Sequence, residues 1–284
     1  MIQAIRLLAL DLDGTLSLDD HKISPATRAA LEQLHTRDDV EVVIATGRRY
    51  RTTRYVADKL GFDVSIVCNG GALVKNQLQQ TLQSTEFERE HIVFLTGIAR
   101  ELGMTLSAQR DSHQHGGPDF LLDNAHPLNT QALKYMDDNA AYAVQADLIA
   151  EATDTLVIGA FDMEYKLNEF RRRVDADPQR RFNTIVIPHP GSPFHYCEVI
   201  QKHVDKWYGL KRLAEQKAIT AANICAAGDQ LNDLPMIEAV AHGVAMGNGN
   251  PQLQAIAQFI CGDHDKDGLV QVVDYIQRHN QQLQ

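Results

Sequence analysis

The sequence is poor in cysteine, and its cysteines are not arranged in pairs. Only four occur in 284 residues, and no two of them form a CxxC motif. Three lie in or beside apolar runs, where a free cysteine behaves as a small hydrophobic side chain. We therefore expect buried thiols in a reducing compartment. The four are Cys68, Cys197, Cys225 and Cys261.

Basic residues are also scarce. The chain carries 27 lysines and arginines against 37 aspartates and glutamates, which leaves a net charge of -10. A general nucleic-acid binder needs a basic excess to displace counterions from phosphates, and this balance argues against one. The two dense basic clusters, at residues 171–173 and 180–181, are predicted to be the solvated face of a helix and its exit.

Long apolar runs are absent from the sequence. No segment approaches the roughly 18 apolar residues that a membrane span needs. The apolar run at the N-terminus is too short for a signal peptide, and it leads directly into Asp11. We therefore expect a cytoplasmic protein, a monomer or a homodimer, whose partners include neither a membrane nor a nucleic acid.

The chain does contain a regular alternation of apolar strands and helices. The first strands, at residues 7–10, 40–45 and 64–67, form a βαβαβ pattern, which predicts right-handed crossovers and a parallel sheet. The alternation stops after residue 71 and returns at residue 194. The predicted fold class is α/β, a Rossmann-like doubly wound parallel sheet with an inserted α+β domain. We place the core at residues 1–83 and 191–284 and the insertion at residues 84–190.

The first apolar run ends in two carboxylates and a glycine, Asp11, Asp13 and Gly14. Ligands in open α/β sheets bind at the carboxyl ends of the strands. A chain that stays extended through Leu12 would put both carboxylates on one side. One could then act as a nucleophile and the other could transfer a proton, while like charges so close need a cation such as Mg²⁺. The structural alternative is an acidic turn after a strand.

Three further polar stretches and a lysine are predicted at the same edge of the sheet. The second and third strands run into TGR and CNGG, a helix begins at a lysine, and the strand at residues 224–227 runs into GDQLND. Each stretch adds hydroxyl, amide or charged groups to the space near Asp11. The candidate residues are Thr46, Gly47, Arg48, Asn69, Lys206, Asp229, Asn232 and Asp233.

In this combination and order, the motifs DLDGT, ATGR, Lys206 and GDQLND resemble those of the haloacid dehalogenase-like hydrolases. The large insertion, together with NGG at residues 69–71 and GVAMGN at residues 243–248, looks like the Cof-like, type IIB branch of that family. The resemblance covers essentially the whole chain. It implies a Mg²⁺-dependent phosphatase that hydrolyses small phosphorylated metabolites, most commonly sugar phosphates, through an aspartyl-phosphate.

The resemblance also implies a role for each motif residue. Asp11 would attack phosphorus, and Asp13 would protonate the leaving oxygen and then activate water. Mg²⁺ would be held by the Asp11 carboxylate, the Asp13 backbone carbonyl and Asp229. The phosphoryl oxygens would be bound by a further set of groups, which comprises Thr46, Gly47, Lys206 and Asn232, and the supporting residues would be Arg48, Asn69 and Asp233.

Several of these positions have a structural alternative. Asn232 could contact the phosphate, and Asp233 could support the metal through water or Lys206. The same pair could cap the next helix, and the two roles are compatible. Arg48 could contact substrate or form a structural salt bridge, and Asp229 could be a helix cap. The chain also departs from the family after Lys206, because it has Trp207 where a glycine is usual, and its own glycine comes at Gly209.

The insertion is predicted to cover the site and to select the leaving group, because the core motifs recognise only phosphate and metal. Its loop at residues 109–118 could face the substrate or could be a surface turn. The candidate contacts in the insertion are His113, His115, Asp119 and Arg181.

Three other functions fit the same residues. A phosphomutase or phosphotransferase would use the same chemistry with a different acceptor. A phospho-accepting receiver module uses similar groups, but Asp13 and the large insertion argue against it. A catalytically silent sugar-phosphate binder would keep the fold without the reaction.

Overall fold

A computed structural model describes residues 3–18, 20–188 and 192–283. The chain divides into two compact units, of which unit 1 comprises Met1–Ser84 and Val204–Gln284, and unit 2 comprises Thr85–His203. The second division therefore falls after residue 203, whereas the sequence predicted it after residue 190. The reason is that the strand beginning at Phe194 pairs within the sheet of unit 2.

In chain order, the strands are β1 (Leu7–Leu10), β2 (Glu41–Ala45), β3 (Ser65–Cys68), β4 (Leu73–Lys75), β5 (Thr81–Ser84), β6 (Leu106–Gln109), β7 (Phe120–Asp123), β8 (Ala143–Ala146), β9 (Val157–Met163), β10 (Phe182–Ile187), β11 (Phe194–Gln201), β12 (Ile224–Gly228), β13 (His242–Ala245) and β14 (Phe259–Ile260). The helices are α1 (Pro25–Arg37), α2 (Tyr50–Ala57), α3 (Arg89–Glu101), α4 (Thr130–Asp138), α5 (Leu148–Glu151), α6 (Glu164–Asp175), α7 (Lys206–Gln216), α8 (Leu234–Ala239), α9 (Pro251–Ile256) and α10 (Gly268–Gln281).

The sheet of unit 1 has the strand order β14-β13-β12-β1-β2-β3-β4-β5. β1 pairs in parallel with both β2 and β12, whereas β4 is antiparallel to its two neighbours, β3 and β5. The carboxyl ends of β1, β2, β3 and β12 consequently meet at one edge, as the alternation in the sequence predicted. The α/β fold class is confirmed.

The core of unit 1 explains why the sequence of β1 is a continuous apolar run. All four of its residues are buried, because helices cover both faces of a parallel sheet. On one face, Leu7 and Ala9 pack in a cluster with Leu210 and Leu213 of α7. Successive strand residues point to opposite faces, so the neighbouring leucines of β1 face the other layer.

Local signals account for the helix ends. The Ser24 hydroxyl accepts a hydrogen bond from the Thr27 backbone N–H, and Pro25 occupies the first turn of α1. The turn after α2 ends at Gly61, whose φ of +83° is in the left-handed region. Both boundaries follow from residue types that are visible in the sequence.

Unit 2 is a second sheet, in the order β10-β11-β9-β6-β7-β8, with helices packed against it. Its neighbours are antiparallel except for the pair β7 and β8. The main cluster joins Leu95 of α3 and Phe170 of α6 to Ile158 of β9. A smaller cluster packs Phe120 and Ala132 on the opposite face.

Two predictions in unit 2 were wrong in detail. The local sequence of residues 145–150 favours a helix, but this segment contains the end of β8 followed by the short helix α5. β7 was not predicted at all, although Phe120–Asp123 is an apolar run. The parallel pairing of β8 with β7 overrides a weak local preference.

Two further observations concern the whole described chain. All four cysteines are free and buried, as predicted. Among the described residues, no helix is both long enough and apolar enough to cross a membrane.

Candidate active site

Asp11 lies at the carboxyl end of β1 and continues its pairing. Its N–H donates to the Ala227 carbonyl at 2.9 Å, and its side chain is almost fully buried. The chain then turns sharply at Gly14, whose φ is +81°. A Cβ at this glycine would lie 2.5 Å from Asp229 Oδ2, so only glycine fits here. The turn thereby brings the first motif against the motif that follows β12.

Lys206 connects two of the carboxylates. It is the first residue of α7, and its ammonium is buried. Nζ donates to Asp11 Oδ1 at 2.5 Å and to Asp233 Oδ1 at 2.6 Å. A buried ammonium needs such partners, because a charge removed from water is costly without them.

Asp233 holds the loop after β12 together. Its second oxygen, Oδ2, accepts hydrogen bonds from the backbone N–H groups of Asp229 and Gln230, both at 3.0 Å. Its side chain does not bond the first turn of α8, but with Gln230 it forms a capping box around the short 3₁₀ turn Leu231–Asp233 that leads into that helix. Asp233 therefore combines a capping role with the link to Lys206. Asn232, beside it, is exposed.

Asp229 completes a group of three carboxylates. One oxygen each of Asp11, Asp229 and Asp233 lie within 4.8 Å of one another. Asp229 also accepts hydrogen bonds from Gln230 Nε2 at 3.0 Å and from Thr15 Oγ1 at 3.4 Å. These contacts make it part of the acidic group rather than a helix cap. The sequence analysis did not single out Thr15 or Gln230, although both lie within the recognised motifs.

The charges of this group are not balanced. Burial raises the pKa of Asp11 to about 8, against the opposing effect of the Lys206 ammonium. Burial also raises the pKa of Asp229, although the hydrogen bond from Gln230 opposes it. Burial alone would lower the pKa of Lys206, but the charges of Asp11 and Asp233 outweigh this and raise it. Three carboxylates thus share a single ammonium, and the deficit favours a bound cation.

Asp13 lies in a different environment from Asp11. Its side chain is 52% exposed and forms an ion pair with Arg48. Nε of Arg48 donates to Asp13 Oδ2 at 2.7 Å, and Nη2 donates to Oδ1. The two acids thus differ in exposure and in partner, since Asp11 is buried and bonded to Lys206, whereas Asp13 is half-exposed and paired with Arg48. Of the two alternatives for Arg48, the structure contains the salt bridge.

The loop after β2 is held by the loop after β3. Thr46 is buried, and its Oγ1 accepts the Arg48 N–H at 3.2 Å. Its carbonyl accepts the Gly70 N–H at 3.1 Å, and the Arg48 carbonyl accepts the Asn69 N–H at 2.9 Å. Asn69 is buried with a φ of +51°, which is unusual for a residue with a side chain. A Cβ at Gly47 would meet nothing within 4 Å, so the surface there is open.

The placement of Lys206 depends on a close backbone contact that the sequence analysis missed. Gly71 has a φ of +105°, and a Cβ there would overlap the carbonyl of Asp205. A Cβ at Gly209 would lie 2.8 Å from the Gly71 carbonyl. Gly209 therefore provides the close packing of α7, while Trp207 packs against the core cluster of unit 1. The sequence signals for this contact were the glycines of NGG at residues 69–71 and the glycine at position 209.

The predicted contacts of the insertion lie in unit 2. His113 is half-buried and His115 is exposed on the loop after β6. Asp119 is buried and accepts a hydrogen bond from the Ser112 hydroxyl at 2.8 Å. The Arg181 guanidinium is held by Asp177, with Nε 2.9 Å from Oδ2, and lies 5.1 Å from the centre of the Phe94 ring. These contacts give Arg181 a structural role within unit 2.

Comparison with known proteins relates this geometry to a family. Residues 8–273 match the haloacid dehalogenase-like hydrolase family. Phosphatase YwpJ of Bacillus subtilis is 27% identical over 96% of this chain and 100% of its own length. The 5-amino-6-(5-phospho-D-ribitylamino)uracil phosphatase YitU of the same species is 28% identical over 93% of this chain and 94% of its own.

A solved structure agrees with this assignment. The subclass IIB sugar phosphatase BT4131 superposes with a TM-score of 0.73 at 20% identity, over 95% of this chain and 98% of its own. At this level of identity the likeness concerns the fold, and the fold is that of the IIB branch. Together with the match over residues 8–273, this means that the chain is an enzyme that belongs to the haloacid dehalogenase-like hydrolase family.

Proposed function

We propose that this hydrolase is a Mg²⁺-dependent phosphatase that cleaves small phosphorylated metabolites through an aspartyl-phosphate. The observation that carries the proposal is the buried group of Asp11, Asp229 and Asp233, whose oxygens lie within 4.8 Å of one another. The ammonium of Lys206 bonds two of these carboxylates, those of Asp11 and Asp233. The negative charge of three carboxylates exceeds the positive charge of one ammonium, and a divalent cation would balance the remainder and bind a phosphoryl group.

The donor set fits Mg²⁺. Carboxylate oxygens are hard ligands, and a nearby cation would favour the ionised forms of Asp11 and Asp229, whose pKa values burial raises. Both oxygens of Asp233 are already engaged by Lys206 and by backbone N–H groups. Asp11 and Asp229 would therefore hold the ion, with Asp233 orienting its neighbours. When bound, Mg²⁺ would offset the negative charge of carboxylates and phosphate.

Asp11 is the proposed nucleophile. Lys206 binds Oδ1, and among the described residues no hydrogen bond reaches Oδ2. In the first step this oxygen forms a bond to phosphorus while the bond from phosphorus to the leaving oxygen breaks. Lys206 holds the carboxylate in one orientation, so little conformational entropy is lost when the carboxylate attacks.

Asp13 is the proposed acid and base. It would give its proton to the leaving oxygen, and it would then take a proton from the water that attacks the aspartyl-phosphate and releases Asp11. A half-exposed carboxyl suits this role, because it can exchange protons with solvent. Arg48 would hold it in position.

The phosphoryl oxygens need donors besides the cation. Lys206 is buried and bonds two of the carboxylates, and Thr46 is buried at the end of the neighbouring strand β2. Gly47 leaves open space, and Asn232 is exposed in the loop after β12. A hydroxyl, an ammonium and an amide suit a group whose charge is spread over three oxygens. We propose that these four residues bind the phosphate.

The proposed substrates are phosphorylated sugars and related polyols. YitU is named for a substrate with a phosphorylated ribityl chain, and BT4131 is named a sugar phosphatase. We further propose that unit 2 selects among such substrates, since the groups around Asp11 suit phosphate and cation only. His113 and His115, on one loop of that unit, are the proposed contacts.

A substrate panel tests the proposal. Phosphorylated sugars, nucleotides and cofactors are incubated with the protein, with EDTA or with added Mg²⁺, and phosphate release is measured. We expect release from a sugar phosphate that EDTA abolishes and Mg²⁺ restores. Asp11→Asn should abolish it, whereas Asp63→Asn, a change at an exposed carboxylate, should not. Activity of the Asp11→Asn variant near that of the wild type would contradict the covalent mechanism, and an isomerised product would indicate a mutase.

A further inference from the structure

The turn after β13, at residues 247–249, contacts the first motif through one side chain. Asn248 is exposed, yet both ends of its amide group are engaged. Nδ2 donates to the Gly14 carbonyl at 2.9 Å, and Oδ1 accepts the His264 backbone N–H at 2.9 Å. Asn248 therefore joins the loop after β1 to the loop after β14.

The turn that carries Asn248 is itself held by backbone hydrogen bonds. The Gly247 N–H donates to the Gly262 carbonyl at 3.2 Å, and the Gly249 N–H donates to Met246 at 2.9 Å. The N–H of the next residue, Asn250, donates to the Asp229 carbonyl at 2.7 Å. Asn248 thus lies on a turn whose backbone is held in place, and this turn also bonds the loop after β12, which contains Asp229.

The carbonyl that Asn248 binds lies at a point where the first motif needs restraint. Glycine has the freest backbone of all residues, so the peptide between Gly14 and Thr15 could rotate without an external hydrogen bond. That rotation would move Thr15, which contacts Asp229, and would move Asp13, which precedes the glycine. A small misplacement of reacting groups costs a large part of the rate.

We propose that Asn248 is a positioning residue: its hydrogen bond to the Gly14 carbonyl holds Asp13 and Thr15 in their working arrangement. Asn248 acts through the loop after β1 and does not itself reach the reacting atoms. The inference rests on the proposed phosphatase function, because it assigns Asn248 to that reaction.

Two substitutions separate this role from a merely structural one. Asn248→Ala removes both hydrogen bonds. Asn248→Asp keeps the shape and the acceptor for the His264 N–H, but it replaces the donor to Gly14 with an oxygen that repels the carbonyl. A matched control is Asn280, whose amide also bonds the backbone at both ends, at 2.8 and 2.9 Å, but at Ile5. Asn280→Ala removes that bridge at the other end of β1.

Two measurements are made on each variant with Mg²⁺ present: kcat and KM with p-nitrophenyl phosphate, and amide hydrogen exchange of the peptide covering residues 11–17. We expect both Asn248 variants to lose about tenfold or more in kcat with KM nearly unchanged. Exchange of the peptide should become faster in both. Asn280→Ala should keep the wild-type kcat and the wild-type exchange of this peptide.

The inference is overturned if Asn248→Asp keeps the wild-type kcat, since support of the His264 loop alone would then suffice. It is also overturned if exchange at residues 11–17 is unchanged in the Asn248 variants. Absence of phosphatase activity in the wild type would contradict the proposed function instead. Faster exchange in the Asn248 variants would even then support the restraint of the loop.

Discussion

Arg48 and Asp13 form a two-pronged ion pair, with Nε of the guanidinium 2.7 Å from Oδ2 and Nη2 bonded to Oδ1. Asp11, only two residues earlier, is instead buried against Lys206. One motif thus carries two carboxylates in contrasting environments. Such a contrast allows one acid to serve as nucleophile while the other exchanges protons.

We expect Arg48→Ala to lower kcat by roughly tenfold, because a mispositioned acid transfers protons poorly. The kcat of Arg48→Lys should lie between those of Arg48→Ala and the wild type, since an ammonium cannot bind both carboxylate oxygens as the planar guanidinium does. Steady-state kinetics on the best substrate of the panel measures both.

The control for these variants is Arg54→Ala, which removes an arginine paired with the exposed Asp58 at 2.7 Å. Its kinetics should match those of the wild type. An unchanged kcat in Arg48→Ala would show that the ion pair has no part in catalysis.

Asp233→Asn should destabilise the protein. Oδ1 of Asp233 accepts from Lys206, and Oδ2 accepts from two backbone N–H groups. An amide nitrogen in either position would face a donor, whichever way the side chain is turned. We expect the free energy of unfolding, from urea titration, to fall by about 1–3 kcal/mol. A variant as stable as the exposed control Asp63→Asn would contradict this account.

Asp11→Asn should stabilise the metal-free protein at neutral pH. Burial raises the pKa of Asp11 from 3.8 to about 8, so between these values the folded state keeps a proton that the unfolded state releases. The free energy of unfolding of the wild type therefore falls as the pH rises through this window. Asparagine does not titrate, so the free energy of unfolding of the variant should exceed that of the wild type towards pH 8. Near pH 4 the two values should not differ for this reason.

The pH experiment is performed in EDTA by thermal denaturation. Parallel curves for variant and wild type across the window would refute the cause given for the raised pKa of Asp11. Adding Mg²⁺ should then raise the melting temperature of the wild type more than that of the variant, because only the wild type retains the charged ligand.

Arg181→Ala should reduce the stability of unit 2 and leave substrate preference unchanged. Arg181 bonds the buried carboxylate of Asp177 and lowers its pKa. Without this partner the free energy of unfolding should fall by roughly 1–3 kcal/mol at neutral pH. The loss should shrink as the pH falls below 3.8, because the stabilisation from a lowered carboxyl pKa is complete above that unfolded-state value and disappears as the pH reaches the folded-state pKa. Altered substrate preference without loss of stability would point to a substrate contact instead.

Much of the core fold could be predicted because its signals are local. Apolar runs that end in polar residues mark buried parallel strands, and Ser24 and Gly61 mark helix ends. Unit 2 was harder to predict, because β11 pairs with β9, from which α6 and β10 separate it along the chain. The same holds for β8, which is a strand only because β7 lies beside it.

The candidate site shows the same division. The sequence alone indicated which side chains gather at the candidate site, because most of them follow apolar strands and such strands end at one edge of a parallel sheet. Only the tertiary structure decided which charges are paired, since Lys206 bonds Asp11 across 195 positions of the chain and Arg48 bonds Asp13 across 35. It also decided that position 71 must be glycine, because a Cβ there would collide with the Asp205 carbonyl, and that Asn248 bonds the Gly14 carbonyl. Such contacts depend on the packing of distant segments, and no local pattern encodes that distance.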